Sequence, residues 1–182
     1  MSRIKFYTPK FIMRSTDNTA LRIIDLWSFK SSKSNKRYIV EVEYFSHDFL
    51  GLKFYWKGVE QSKHRYSLLT NDFEPRTIVM SCIQIMLRYF KENNCASFGF
   101  VGAPDINPSK DEEKPNRRFR FYRRLMLTLF SPDKFIQVND PNESLYLLIN
   151  KEMYDKGYIS LQDIEKELAK IYIGEYNLSL SQ

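Results

Sequence analysis

The sequence predicts an α+β fold: a mixed, mostly antiparallel sheet with helices packed on it and one more helix appended at the C-terminal end. Three observations carry this. Runs of strand-like, mostly alternating residues fill 21–70. A helical stripe over Ile78–Phe90 is followed after a short polar break by a strand-like run, so the helix is expected to lie across a sheet. An arginine-rich helical segment then leads into two strand-like runs around Asn139-Asp140-Pro141-Asn142.

Residues 1–20 are mixed in polarity and read as an N-terminal arm. There Phe6, Tyr7, Phe11, Ile12 and Met13 form a docked arm or a short strand interrupted by Pro9, before a turn at Thr16-Asp17-Asn18. Leu21–Phe29 is strand-like, Ser31–Lys36 is a basic turn, and Arg37–Phe45 alternates, with Val40, Val42 and Tyr44 opposing Glu41 and Glu43. Leu50–Lys57 alternates as well, and His64–Thr70 is read as the fourth strand of an antiparallel meander with one partly wet face. Ser46-His47-Asp48 and Lys57-Gly58-Val59 suit hairpin connections.

A helix is expected over Glu74–Asn93. Pro75 fits its first turn, where a missing N–H removes no intrahelical bond, and Asn93-Asn94 can close it in the left-handed conformation. Cys95–Gly102 follows as a strand, Ala103–Pro115 as an exposed polar loop, and Asn116–Phe130 as the second helix. Lys134–Val138 and Ser144–Asn150 form a hairpin, Met153–Gly157 is a break, and Ser160-Leu161-Gln162-Asp163 starts a helix with an acidic residue three places after its serine cap. Leu161, Ile164, Leu168, Ile171 and Tyr172 give that helix an apolar stripe, and the last eight residues are expected to fray. The expected organisation is an arm at 1–20, one domain over 21–150 and a helical extension at 151–182.

With 43% hydrophobic and 15% aromatic residues, the chain is not a disordered one and is long enough to bury a core. No apolar run reaches membrane-spanning length and the N-terminus has no apolar signal core. Cys82 and Cys95 match no zinc spacing or disulfide framework, so a reducing, cytoplasmic location is expected and Cys82 reads as a small core residue. The net charge of +6 favours an anionic partner without choosing among nucleic acid, acidic protein and anionic cofactor.

The most unusual local feature is Arg117, Arg118, Arg120, Arg123 and Arg124, five arginines within eight residues of one helix. Arginine forks match phosphate and carboxylate geometry and stack on bases, and Lys110 and Lys114 extend the positive run. These arginines are the expected binding residues for nucleic acid or an acidic protein. The alternative is a solvated face partly neutralised by Asp111, Glu112 and Glu113.

The order of elements over Leu21–Asn150, four antiparallel strands, helix, strand, helix and a two-strand hairpin, resembles the GNAT superfamily of acyl-CoA-dependent N-acetyltransferases. The resemblance implies a GNAT-like sheet, acetyl-CoA as cofactor, and a glycine-containing loop at the mouth of the first helix for the CoA pyrophosphate. Here that mouth is Asn71-Asp72-Phe73-Glu74-Pro75-Arg76-Thr77, and no glycine occurs between Val59 and Phe98. The resemblance further implies a tyrosine general acid after an asparagine, a pattern that Asn116 and Tyr122 approach one residue short; on an apolar stripe Tyr122 reads first as core. Glu41 and Glu43 are candidate bases or else part of a solvated sheet face, the reading preferred from sequence. His47 and His64 lack companions for a metal or a nucleophilic triad, so no metal is expected. Two functions follow: a non-catalytic GNAT-like binding module acting through the arginine helix, and an acyltransferase with an atypical CoA site.

Overall fold

The computed structural model describes residues 5–17, 22–66, 74–101, 117–140 and 145–171, leaving aside the side chains of Asp17, Val101, Arg117, Arg118, Phe119 and Ile171. Its strands are β1 (Lys10–Asp17), β2 (Arg22–Lys30), β3 (Arg37–Tyr44), β4 (Phe49–Trp56), β5 (Ser97–Val101), β6 (Phe135–Asp140) and β7 (Leu145–Asn150). Its helices are α1 (Pro75–Glu92), α2 (Arg117–Leu129), α3 (Lys151–Asp155) and α4 (Leu161–Ile171). The strands form one mixed sheet in the order β1-β2-β3-β4-β5-β7-β6, antiparallel but for one pair. The fold is α+β, as the patterning predicts. No described helix is long and apolar enough to cross a membrane. By its contacts the chain divides into two compact units, Met1–Glu43 with Leu52–Asn94 and Tyr44–Gly51 with Cys95–Gln182.

In the first unit, β2 and β3 pair antiparallel from Ile24↔Glu43 to Lys30↔Arg37. Directly paired residues share a face, so Asp25, Trp27 and Phe29 lie with Val42, Val40 and Tyr38, and Ile24 and Leu26 lie with Glu43 and Glu41. The first face meets α1, where the Trp27 indole N–H donates to the Tyr89 hydroxyl at 2.9 Å and that hydroxyl donates to buried Asp25 at 2.5 Å. The α1 stripe buries Ile78, Val79, Cys82, Ile83, Ile85, Met86 and Tyr89, the side its spacing marks out. The helix stops at Asn93, but in extended rather than left-handed backbone, its N–H closing on the Tyr89 carbonyl at 2.8 Å.

The arm is partly a strand. β1 starts right after Pro9, pairs antiparallel with β2, and carries an irregularity between Phe11 and Met13 that leaves Ile12 without an opposite residue. The expected fourth strand at His64–Thr70 is corrected in part: residues 63–66 form turns, because Arg65 and Tyr66 are tied to the face of the sheet, and residues 67–70 lie outside the described set.

In the second unit, β7 pairs antiparallel with β5 and β6, and all six of its residues are buried. Its core joins Phe49, Leu145, Leu147 and Ile149 to Ile159, Ile164 and Leu168. The loop 46–48 turns the chain with His47 and Asp48 at φ 58° and 54°, and Phe45 N–H donates to the Phe49 carbonyl at 2.9 Å. The expected break at Met153–Gly157 is instead a short helix, α3, followed by a turn. The Asn150 side chain caps it by accepting from Met153 N–H at 3.2 Å, and Gly157 at φ 70° ends it. Ser160 and Asp163 form the reciprocal cap of α4, with Asp163 N–H donating to Ser160 Oγ at 3.2 Å and Ser160 N–H to Asp163 Oδ2 at 3.1 Å. The loop Ala103–Pro115 with Lys110 and Lys114, the 141–142 turn and the last eleven residues fall outside the described set.

Candidate functional site

α2 has two unlike sides. Leu125 and Met126 are buried, while Arg120, Arg123, Arg124 and Leu127 are exposed. At 100° per residue these four fall on one side of the helix. Arg117 and Arg118 belong to α2, their side chains outside the described set, and Asn116 precedes it, also outside. Tyr122 is half-buried, its ring edge-on to Phe121.

The charge of α2 is placed against two local rules. On and beside other helices several surface cations pair within one turn: Arg88 with Glu92 at 3.2 Å, Lys151 with Asp155 at 2.9 Å, Lys156 with Glu152 at 2.6 Å and Lys170 with Glu167 at 2.8 Å. The α2 sequence, RRFRFYRRLMLTL, has no carboxylate to do so, and among the described residues none forms an ion pair with Arg120, Arg123 or Arg124. Arg117 and Arg118 also stand in the first turn, where the helix dipole is already positive, and no acidic residue accompanies them there.

The second constellation is one the sequence did not reveal. Glu41 and Glu43 are buried, which overturns the reading of a solvated face. Glu43 Oε1 lies 3.1 Å from Arg22 Nη1 and 3.3 Å from Lys53 Nζ. Glu41 Oε2 accepts the Tyr66 hydroxyl at 2.5 Å, Arg65 Nη2 donates to that hydroxyl at 2.7 Å, and Arg65 stands 3.5 Å from Glu41 Oε1. The Arg65 guanidinium lies 5.0 Å from the Tyr55 ring centre and 4.7 Å from that of Tyr66, and Lys53 Nζ lies 5.4 Å from the latter. Burial pulls the Lys53 ammonium below its ordinary pKa, with Glu43 opposing, while burial and then Glu41 push the Tyr55 and Tyr66 phenols up. Phenols held protonated and carboxylates committed to cations make a structural network, which pins the strap of residues 57–66 to the sheet.

The mouth of α1, where the resemblance implies an anion site, holds a carboxyl group. The Glu74 carboxylate is buried there, accepting the Tyr7 hydroxyl at 2.7 Å and the Ser31 hydroxyl, and it makes no capping bond to α1. Arg76 is exposed; residues 71–73 are outside the described set. His64 is exposed, and exposed His47 stacks edge-on against Tyr158 at 5.7 Å. Cys82 is fully buried, which pushes its thiol up and leaves it inert. Among the described residues, no group of three His, Cys, Asp or Glu is placed to hold a metal ion.

No protein-family model, curated protein or solved structure matches this chain.

Proposed function

We propose that the chain is a non-catalytic binding module that engages a polyanion, nucleic acid or an acidic protein, through the exposed arginine side of α2. The observation that supports it is the placement of Arg120, Arg123 and Arg124: solvent-exposed, on one side of the helix, and without a carboxylate of their own helix. Guanidinium groups one turn apart form a row of forks suited to successive phosphates or carboxylates. Nucleic acid is the first partner to test, because its phosphates leave a measurable signature in salt.

Fluorescence anisotropy with single- and double-stranded oligonucleotides, from low to high salt, tests this. Replacing Arg120, Arg123 and Arg124 with glutamine is expected to weaken binding and flatten the salt dependence, by about 0.9 in the log–log slope for each duplex phosphate no longer neutralised. Binding by the triple variant equal to that of the parent chain, with the same slope, refutes the reading. No binding to either oligonucleotide alongside salt-sensitive binding to polyglutamate assigns the surface to an acidic protein.

The acyltransferase alternative draws support from the burial of Glu41 and Glu43, but both are bound to cations, and the Glu74 carboxyl group is buried at the mouth of α1. Calorimetric titration with acetyl-CoA separates the two readings: micromolar binding favours the enzyme.

A further inference from the structure

We infer that the chain self-associates through β1, one copy pairing antiparallel with β1 of a second copy. β1 is an outer strand of the sheet, and among the described residues β2 is its one ladder partner, which leaves its other backbone edge without a paired strand in that set. The apolar surface of the described residues gathers at this edge. Eight large hydrophobic residues are exposed, and five of them, Phe6, Phe11, Ile12, Met13 and Ile23, lie on β1, just before it or on its neighbour β2. The other three, Leu87, Leu127 and Tyr158, are scattered over other elements. Concentration of this kind marks a contact surface rather than ordinary apolar exposure.

The usual protections of an edge are weak here. Charged side chains keep edge strands apart; Arg14 folds back onto buried Asp25, through Nε–Oδ1 at 2.7 Å and Nη2–Oδ2 at 2.9 Å, with its side chain 55% exposed. Lys10 stands at the far end. The irregularity at Ile12 interrupts the ladder near that end and leaves the register unbroken from Met13 to Asp17. That regular stretch is long enough for a typical strand pairing.

The strand itself indicates a second copy rather than an unrelated peptide. It begins with Lys10 and ends with Asp17. An antiparallel copy sets the basic start of one strand toward the acidic end of the other, whereas a parallel copy sets like against like. Antiparallel self-pairing is also isologous, so the same surface serves both chains and association closes at two. None of these residues belongs to α2, so the inference stands or falls apart from the polyanion reading.

Sedimentation equilibrium across a dilution series from millimolar to micromolar tests it. The expected result is a concentration-dependent mass rising to twice the 21.8 kDa of the chain. The double substitution Ile12→Lys and Met13→Lys, at two exposed positions, should raise the dissociation constant about tenfold or more, a loss of about 1.4 kcal/mol or more. If that variant fails to fold, Ile12→Cys and Ser15→Cys with Cys95→Ser supply the test, since Lys10 set against Asp17 places position 12 of one copy opposite position 15 of the other, and an intermolecular disulfide should form on mild oxidation. A monomer at millimolar concentration, a dimer indifferent to both lysines, or no crosslink between positions 12 and 15 each overturns the inference. A monomer that captures a foreign strand peptide overturns it too.

Discussion

Two groups of cations in this chain meet opposite fates. Arg22, Lys53 and Arg65 lie against Glu41 and Glu43 under a strap of chain, each held by a carboxylate and the last two also by an aromatic face. Arg120, Arg123 and Arg124 stand in water on a helix with no carboxylate. The first group has its counter-charges within the fold and serves the fold. The second has none in its own helix and forms no ion pair among the described residues. The contrast separates structural charge from charge available for binding, which composition and net charge do not.

The largest expected break in the contrast is Glu43→Ala. It strands Arg22 and Lys53, whose side chains are only 21% and 12% exposed, and should cost about 3–5 kcal/mol in urea unfolding. A marginal domain has about 5–15 kcal/mol in total, so a loss below 1 kcal/mol would mean that the network is solvated after all.

Alkaline titration of stability gives a smaller effect with a worked sign. The Tyr55 and Tyr66 phenols are raised from 10.0, so their contribution is full below pH 10 and is lost as pH climbs above it. Lys53 is lowered from 10.5, so the unfolded chain binds more protons there and stability gains from this group as pH approaches 10.5. Tyr66→Phe should therefore soften the decline above pH 10, and Lys53→Met should flatten the gain below 10.5. Denaturation curves for Tyr66→Phe that run parallel to the parent above pH 10 would remove the phenol from the network.

The smallest effect is expected on the exposed side. Arg120→Gln, Arg123→Gln and Arg124→Gln should each shift thermal stability by no more than about 0.5 kcal/mol, since each side chain is exposed and forms no ion pair among the described residues. A clear destabilisation would show these arginines to be part of the fold's own bonding.

Much of the scaffold was legible because periodicity reports which side of an element is apolar. The α1 stripe, the apolar side of α2, the alternation in β3 and the Ser160–Asp163 cap all read directly from residues. The Glu41–Glu43 network did not, for a physical reason. Alternation shows that both carboxylates share a side of β3, but not what covers that side. The cover is the strap ending in Arg65 and Tyr66, whose local sequence resembles a strand. β1 escaped clear recognition because an edge strand exposed on both faces has no need to alternate, and α3 because its five residues are too few for a period to show. The exposed arginines were visible in the sequence, opposite the apolar stripe of their helix.

Trp56 has its own consequence. A Cβ at Gly58 would fall 2.4 Å from Cζ2 of this indole, so the ring lies flat against bare backbone at the start of the strap, and Lys36 Nζ lies 4.8 Å from its centre. The chain's other tryptophan, Trp27, is buried against Tyr89 and Arg88. The protein therefore has a built-in optical gauge: lifting the strap should alter the emission of one fluorophore while the other stays as an internal standard, so strap seating can be followed in real time without a dye.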